Sequence, residues 1–274
     1  MTQTLAVPRA MTKAGSDSGA GAGIQADLKT FAAMGVYGTA VITVVTAQNT
    51  LGVTAIKELP LYIIAAQIEA IISDIGTDTV KTGMLSSPAI IKLVSREIRR
   101  LGLTQLIVDP VMVSKRGDRL LHKDSVEYLK KDLIPLATVV TPNIPEAEVL
   151  TGMTIRTPKD AREAAKAILS LGAKNIVVKG GHLAGDAVDT FYDGHEFSEL
   201  RSARIDTKNT HGTGCTFASA IAASLAKGTP MLEAVSQAKT YVTEAIRLSY
   251  QIGHGHGPLN HFYALPPQGM RHTT

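Results

Sequence analysis

The strictest constraint on this chain is its rhythm, in which short β-branched runs alternate with longer stretches whose apolar residues recur every three or four positions. TAVITVVTA (39–47) and QLIVDPVMV (105–113) read as strands, as do the runs ATVVTPN and KNIVVKGG. Helices are expected between them at 61–72, 88–101 and 159–171, the last running into Gly172 as a helix end does. Near-continuous apolar strands separated by helices imply βαβ units, hence a mainly parallel sheet covered on both faces: an α/β fold with three α/β/α layers. No Pro/Ser-rich linker or repeat divides the 274 residues, so a single domain is expected, with SKRGDRLL (114–121) as a flap candidate. In such sheets ligands collect beyond the carboxyl ends of the strands, and the residues just after each strand are the ones to inspect.

Charge and cysteine content narrow the function classes. Lys plus Arg is 28 against 24 Asp plus Glu, a modest excess of +4 that is scattered rather than gathered in a basic block, which argues against a nucleic-acid partner. A single cysteine excludes an internal disulfide and every paired-cysteine zinc pattern, and fits a reducing cytoplasm. Arg9 and Lys13 interrupt the N-terminal region where a secretory apolar stretch would lie. No long uncharged apolar run is present, so neither export nor a membrane span is expected.

The segment RIDTKNTHGTGCTFASAIAASLAKG carries the strongest local signal. Gly212 and Gly214 let the backbone approach a ligand closely, and the Ala-rich helix behind them points its free N–H groups and positive end at an anion. The alternative is a tight turn whose small residues serve helix packing. Cys215 falls in the first turn, where the helix dipole can lower a thiol pKa and make it a base or nucleophile; otherwise it is a small buried hydrophobe. A second Gly-rich turn, AGSDSGAGAGIQADLKTF, leads into another helix with Asp17 and Asp27 around it. Its glycine spacing does not match the dinucleotide fingerprint GxGxxG. Asp27 reads either as a solvated charge or as a contact for a polar substrate. Asp109 in IVDPVM, and Asn143 with Glu146 in VVTPNIPEAEVL, are oxygen donors at successive strand ends of the hard kind that Mg²⁺ takes, although each alone is also explained as a helix cap. His254 and His256 in GHGHG lack accompanying carboxylates and make a poor metal site, while His182 in KGGH either lines a nucleotide site or caps a turn.

Taken in order, AGSDS, GAGIQADLKTF, VTAQNTLGV, KTGML, VDPVM, TPNIPEAE, VKGGH, NTHGTGCT and GHGPLNH resemble the hydroxymethylpyrimidine and phosphomethylpyrimidine kinases of thiamine biosynthesis, a branch of the ribokinase-like superfamily, over nearly the whole chain. The resemblance implies ATP- and Mg²⁺-dependent phosphorylation of hydroxymethylpyrimidine to the monophosphate and then the diphosphate, by a homodimer. It implies that Gly15, Asp27, Gln48, Met84 and Val111 surround the pyrimidine, that Asp109, Asn143 and Glu146 organise Mg²⁺ and the phosphates, and that Lys179 lies by the nucleotide. Thr210 with Gly212, Thr213 and Gly214 would form the anion hole, and Cys215 would take the hydroxymethyl proton. Lys81, or Lys115 and Arg116 of the flap, would meet the extra charge of the monophosphate. The chain departs from the family's pattern at Lys13, where an apolar residue is usual, and at Ala20, where glycine is usual. The rival readings are a pyridoxal kinase of the same branch, some of which pair a second, lid cysteine that this chain lacks, and a non-catalytic pyrimidine or nucleotide sensor.

Overall fold

The computed structural model describes residues 6–112, 120–122, 124–183 and 185–265. One sheet carries all nine described strands. Five of them, β1 (Arg9–Asp17), β4 (Thr79–Thr82), β5 (Leu106–Val108), β6 (Val139–Val140) and β7 (Ile176–Val178), run parallel side by side. β2 (Tyr37–Asn49) joins β1 in parallel on the other side and turns back into the antiparallel edge strand β3 (Gly52–Glu58). At the far edge β8 (Ala187–Tyr192) and β9 (Phe197–Ser202) continue from β7 as an antiparallel meander, so the order is β3-β2-β1-β4-β5-β6-β7-β8-β9.

The central strand β5 is short because its end is specified. The run at 105–113 yields only Leu106–Val108 as strand: Pro110 has no N–H to give a neighbour, so the chain turns away at Asp109. Alternation of side chains divides the core into two. Leu106, Val108, Val140, Ile176 and Val178 face a cluster with Ile64 and Ile68 of α2 (Leu61–Asp74), Ile91 and Val94 of α3 (Pro88–Arg100), and Ala164 and Ile168 of α6 (Pro158–Leu169). Ile107, Val139 and Val177 face the opposite cluster with Phe31 of α1 (Gly23–Ala33), Phe217 and Ile221 of α7 (Thr213–Ala226), and Val235 and Val242 of α8 (Met231–Arg247). Burial on both faces is what removes polar alternation from these strands and makes them read as unbroken apolar runs. The short helix α4 (Ser125–Tyr128) and α5 (Ile144–Thr151) complete the first layer. No described helix is long and apolar enough to cross a membrane.

Both departures from the family pattern have structural consequences. Lys13 sits on the central strand β1, on the same face as Met11, and its side chain is fully buried with no hydrogen-bond partner for Nζ among the described residues. Thr82, its neighbour on β4, is likewise buried with an unpartnered hydroxyl among those residues. Burial lowers the Lys13 amine from 10.5 to about 7, only partly offset by the charge of Glu97. Ala20 takes φ 57°, the left-handed region in which a Cβ is strained, at the turn closed by its N–H on the Asp17 carbonyl at 2.9 Å.

Each position makes a prediction about stability. Between about pH 7 and the unfolded value of 10.5 the unfolded chain binds a proton at Lys13 that the folded chain does not, so stability falls as pH drops through that window and is level below it. Lys13→Met should therefore raise the urea midpoint at pH 7, by several kcal/mol in unfolding free energy (about 1.4 kcal/mol for each tenfold loss of proton affinity), with the gain shrinking toward pH 10. An unchanged or lowered midpoint would mean that the amine is neither desolvated nor costly. Ala20→Gly relieves left-handed strain and should stabilise by roughly 0.5 to 1 kcal/mol, while Ala20→Val should lower the thermal midpoint.

Candidate active site

The parallel strands all end at one edge of the sheet, and a cavity of about 570 Å³ opens there. Gly15 and Asp17 come from the end of β1, Gln48 from the end of β2, Met84 from just after β4, Asp109 and Val111 from just after β5, Asn143 and Glu146 from the start of α5, and Lys179 from just after β7. The loop before α7 supplies Thr210, His211 and Gly212, and the first turn of α7 supplies Thr213, Gly214 and Cys215, to the same cavity. Of the residues that the resemblance assigns to the site, Asp27 and Lys81 do not line it, and Lys115 and Arg116 lie outside the described residues.

The loop at Gly212 is built for an anion. Gly212 caps α7 with φ 84°, and a Cβ there would fall 1.8 Å from the Gly21 carbonyl oxygen, so only glycine fits where the two Gly-rich loops touch. No side chain caps the helix end, which leaves its first-turn N–H groups and positive dipole directed into the cavity. Thr213 Oγ1 donates to the Thr210 carbonyl at 2.7 Å and fixes the loop's curvature.

Opposite this helix end stands a charged group. Lys179 Nζ donates to Asp109 Oδ1 at 3.0 Å, and Lys179 is itself set by its backbone N–H on the Pro142 carbonyl at 2.8 Å. Burial acts to lower the Lys179 ammonium, but Asp109 and then Glu146 outweigh it and hold the charge above the usual range. Glu146 is pushed up to about 7, by burial first and by Asp109, against the opposing pull of Lys179. Asn143 and Glu146 form a capping box on α5: Asn143 Oδ1 accepts from the Glu146 N–H at 2.9 Å, and Glu146 Oε2 accepts from the Asn143 N–H at 2.8 Å. The helix-cap reading thus holds in full for this pair, and Glu146 lines the cavity as well.

Asp109 and Glu146 fit a hard cation. Asp109 Oδ2 is buried without a hydrogen-bond partner among the described residues, an orphaned oxygen that a positive ligand would satisfy. A Cβ on Gly214 would lie 3.6 and 3.7 Å from the two Asp109 oxygens and 3.2 Å from Lys179 Nζ, so the bare backbone keeps this space open. No cluster of three or more His, Cys, Asp or Glu that could hold a metal exists among the described residues; Mg²⁺ beside a nucleotide takes most of its ligands from phosphate and water.

Three expectations from the sequence need correction or relocation. Asp27 is fully buried behind the cavity, where its oxygens accept from Thr12 Oγ1 at 2.6 Å, Ser219 Oγ at 2.7 Å and Lys81 Nζ at 2.9 and 3.0 Å. It is thereby neither a solvated charge nor exposed to a ligand. Lys81 is equally buried and committed to Asp27, which removes it as a receptor for substrate phosphate. Burial acts most strongly against its charge, but Asp27, Cys215 and Asp109 together outweigh it and keep the ammonium above the usual range. Cys215 lies half-buried in the first turn of α7, but burial, reinforced by Asp27 and Asp109, pushes its thiol up to about 12 despite the opposing charge of Lys81. Desolvation therefore exceeds the effect expected from the helix position alone. The flap candidate lies outside the described residues apart from Leu120 and Leu121, whose N–H groups donate to the Met112 carbonyl.

Two residues of the site have no role assigned from the sequence. Asp17 accepts from the backbone N–H groups of Gly19, Gly21 and Ala22 and stands 2.8 Å from His211 Nε2. Burial opposes ionisation, but the His211 contact and these N–H groups win and hold its carboxyl below the usual range. An aspartate two residues before a glycine turn is a recognisable local signal. His211 has none, because its partner is 194 residues away.

Comparison with known proteins agrees with this geometry. The phosphomethylpyrimidine kinase family profile matches residues 17–260. The chain is 53% identical over 255 residues to the thiamine biosynthesis bifunctional protein ThiED of Geobacter sulfurreducens, covering 93% of this chain and 52%, about half, of that longer protein. It is 50% identical over 258 residues to the hydroxymethylpyrimidine/phosphomethylpyrimidine kinase of Rhizobium meliloti, covering 93% of this chain and 97% of the relative. A solved ADP complex of Bacillus subtilis pyridoxal kinase superimposes with a TM-score of 0.89 at 42% identity, over 94% of this chain and 99% of that one. With a family match spanning most of its length and site residues gathered at one sheet edge, the chain belongs to the phosphomethylpyrimidine kinase family.

Proposed function

We propose that this chain is a single-domain, cytoplasmic kinase that phosphorylates 4-amino-5-hydroxymethyl-2-methylpyrimidine, and then its monophosphate, with ATP and Mg²⁺ in thiamine biosynthesis. The observation that carries the reading is the convergence in one cavity of an uncapped helix end, the Asp109–Lys179–Glu146 group and the apolar and amide wall of Met84, Val111 and Gln48. Phosphoryl transfer needs little covalent help from protein and depends on positioning and charge stabilisation. The loop at Thr210 and Gly212–Gly214 receives the transferred phosphoryl, Lys179 offsets its charge, and Asp109 with Glu146 would hold the Mg²⁺, which supplies further charge neutralisation on the phosphates.

Cys215 stands where the hydroxymethyl oxygen would approach the anion loop. A thiol near 12 is protonated at neutral pH, and only its thiolate fraction can accept the hydroxymethyl proton. In a loose transition state the hydroxyl proton is released late, which lowers the demand on base strength but leaves the reactive population limited to the thiolate. The rate then rises with pH as that fraction grows.

A homodimer is the accompanying proposal. β3 is an edge strand, and Val45, Leu51, Ile56, Leu61, Tyr62 and Ile63 on β2, the β2–β3 turn, β3 and the start of α2 are exposed, an apolar surface that a second copy would cover.

The alternative substrate is pyridoxal, for which the B. subtilis structural neighbour is named. This chain has one cysteine and so lacks the second thiol of the cysteine pairs found in some pyridoxal kinases of this branch. Assay of both substrates with MgATP decides: turnover of the pyrimidine should exceed that of pyridoxal, and the opposite preference, or nucleotide binding without turnover, would sink the substrate reading. Cys215→Ala should lower kcat by roughly a hundredfold or more while ATP affinity stays within about threefold. In the wild type, kcat should climb from about pH 7 toward about pH 10; a flat profile would remove the thiolate from the mechanism.

A further inference from the structure

Two hydrogen-bond conflicts meet at Gln48. Asp17, ionised and therefore an acceptor only, lies 2.8 Å from His211 Nε2. The proton in that contact belongs to His211 Nε2, and a ring nitrogen bearing a proton has no in-plane lone pair left to offer. Yet the same Nε2 lies 3.2 Å from Gln48 Nε2, an amide nitrogen that only donates. At the other end of the amide, Thr46 Oγ1 faces the Ser16 carbonyl at 3.0 Å and Gln48 Oε1 at 3.1 Å. Both are acceptors, and a hydroxyl has one proton.

Turning the Gln48 amide over resolves both conflicts at once. Its oxygen then accepts from the His211 Nε2–H that Asp17 shares, and its nitrogen gives one N–H to Thr46 Oγ1, whose own proton goes to the Ser16 carbonyl. Side-chain amide nitrogen and oxygen are distinguished by their partners, and only this orientation gives each of these contacts a donor and an acceptor. One amide N–H is left over, on a residue that lines the cavity.

We propose that Asp17 and His211 are positioning residues of the pyrimidine site: by keeping the proton on His211 Nε2 they lock Gln48 with a donor N–H presented to the ligand. The group recognised there is an acceptor, the unprotonated ring nitrogen of a heteroaromatic, and a protonated ring N–H is disfavoured. The lock is held sterically as well, since a Cβ on Gly21 would lie 2.3 Å from the His211 ring carbon Cδ2, which leaves the imidazole room in this place only opposite glycine. The inference rests on the reading of this cavity as a pyrimidine site.

Two measurements on the full-length protein test it. Ring ¹⁵N–¹H correlation spectra of histidine-labelled wild type should show His211 protonated at Nε2; an unprotonated Nε2 overturns the proposal whatever the substrate proves to be. Asp17→Asn, which loosens the hold on that proton, should raise KM for hydroxymethylpyrimidine roughly tenfold, the effect of one lost hydrogen bond, with kcat and KM for ATP within about threefold. A loss confined to kcat and KM for ATP would place His211 in the service of the phosphate loop and overturn it. Absence of pyrimidine turnover by the wild type would instead sink the proposed function, leaving the ring-proton result to judge the amide lock by itself.

Discussion

The buried ion pair of Lys81 with Asp27 is the interaction on which the site's architecture rests. Lys81 comes from β4, Asp27 from α1, and the oxygens of Asp27 are completed by Thr12 of β1 and Ser219 of α7. Four elements are thereby joined at one carboxylate below the cavity. Burying two charges is repaid only when the geometry is good and the remaining lone pairs are satisfied, as they are here, and removing one partner of such a pair typically costs about 3–5 kcal/mol. Ser219 lies one helical turn beyond Cys215, so the contact that anchors α7 also sets the height of its first turn and of the anion loop before it.

Above this anchor the cavity separates charge by burial. Lys179 stays charged because Asp109 and Glu146 outweigh desolvation, whereas Glu146 is raised to about 7 because burial and Asp109 outweigh Lys179. Cys215 is also kept neutral, its desolvation larger than the help from Lys81. The cavity thus carries an orphaned carboxylate oxygen on Asp109, a protonated amine and a neutral thiol. Such a set of groups is complementary to a polyanion with its cation, the condition under which binding energy can be directed to aligning a phosphoryl group.

Much of this is legible in the primary structure. The parallel sheet follows from strands apolar on both faces, and its carboxyl edge follows from the fold class, so Asp109, Asn143 and Glu146 are found by looking at the strand ends, whereas Gly15, Gln48, Met84, Val111 and Lys179 are legible only through the resemblance carried by the ordered motifs. The loop before α7 announces itself through glycines preceding an Ala-rich helix. These signals are local: a period, a turn residue, a helix end. The costs at Lys13 and Ala20 are visible as departures from the pattern of the resembled family, one a charge where an apolar strand residue is usual, the other a Cβ where glycine is usual.

What the tertiary structure decided were the pairings and their desolvation. Asp27 and Lys81 are polar residues on segments that read as suited to a ligand, and only the packing of α1 and α7 over β1 and β4 shows them turned to each other, 54 residues apart in the chain. Cys215 sits at a helix start that favours a thiolate, but how much water reaches it depends on elements distant in sequence, and that decides its protonation. His211 and Asp17, 194 residues apart, meet only when the two Gly-rich loops touch. Sequence thus determined the scaffold and the inventory of chemical groups, because periodicity and turn chemistry are properties of neighbouring residues. Charge state and partnership depend on distance through space and on exclusion of water, and these exist only in the folded chain.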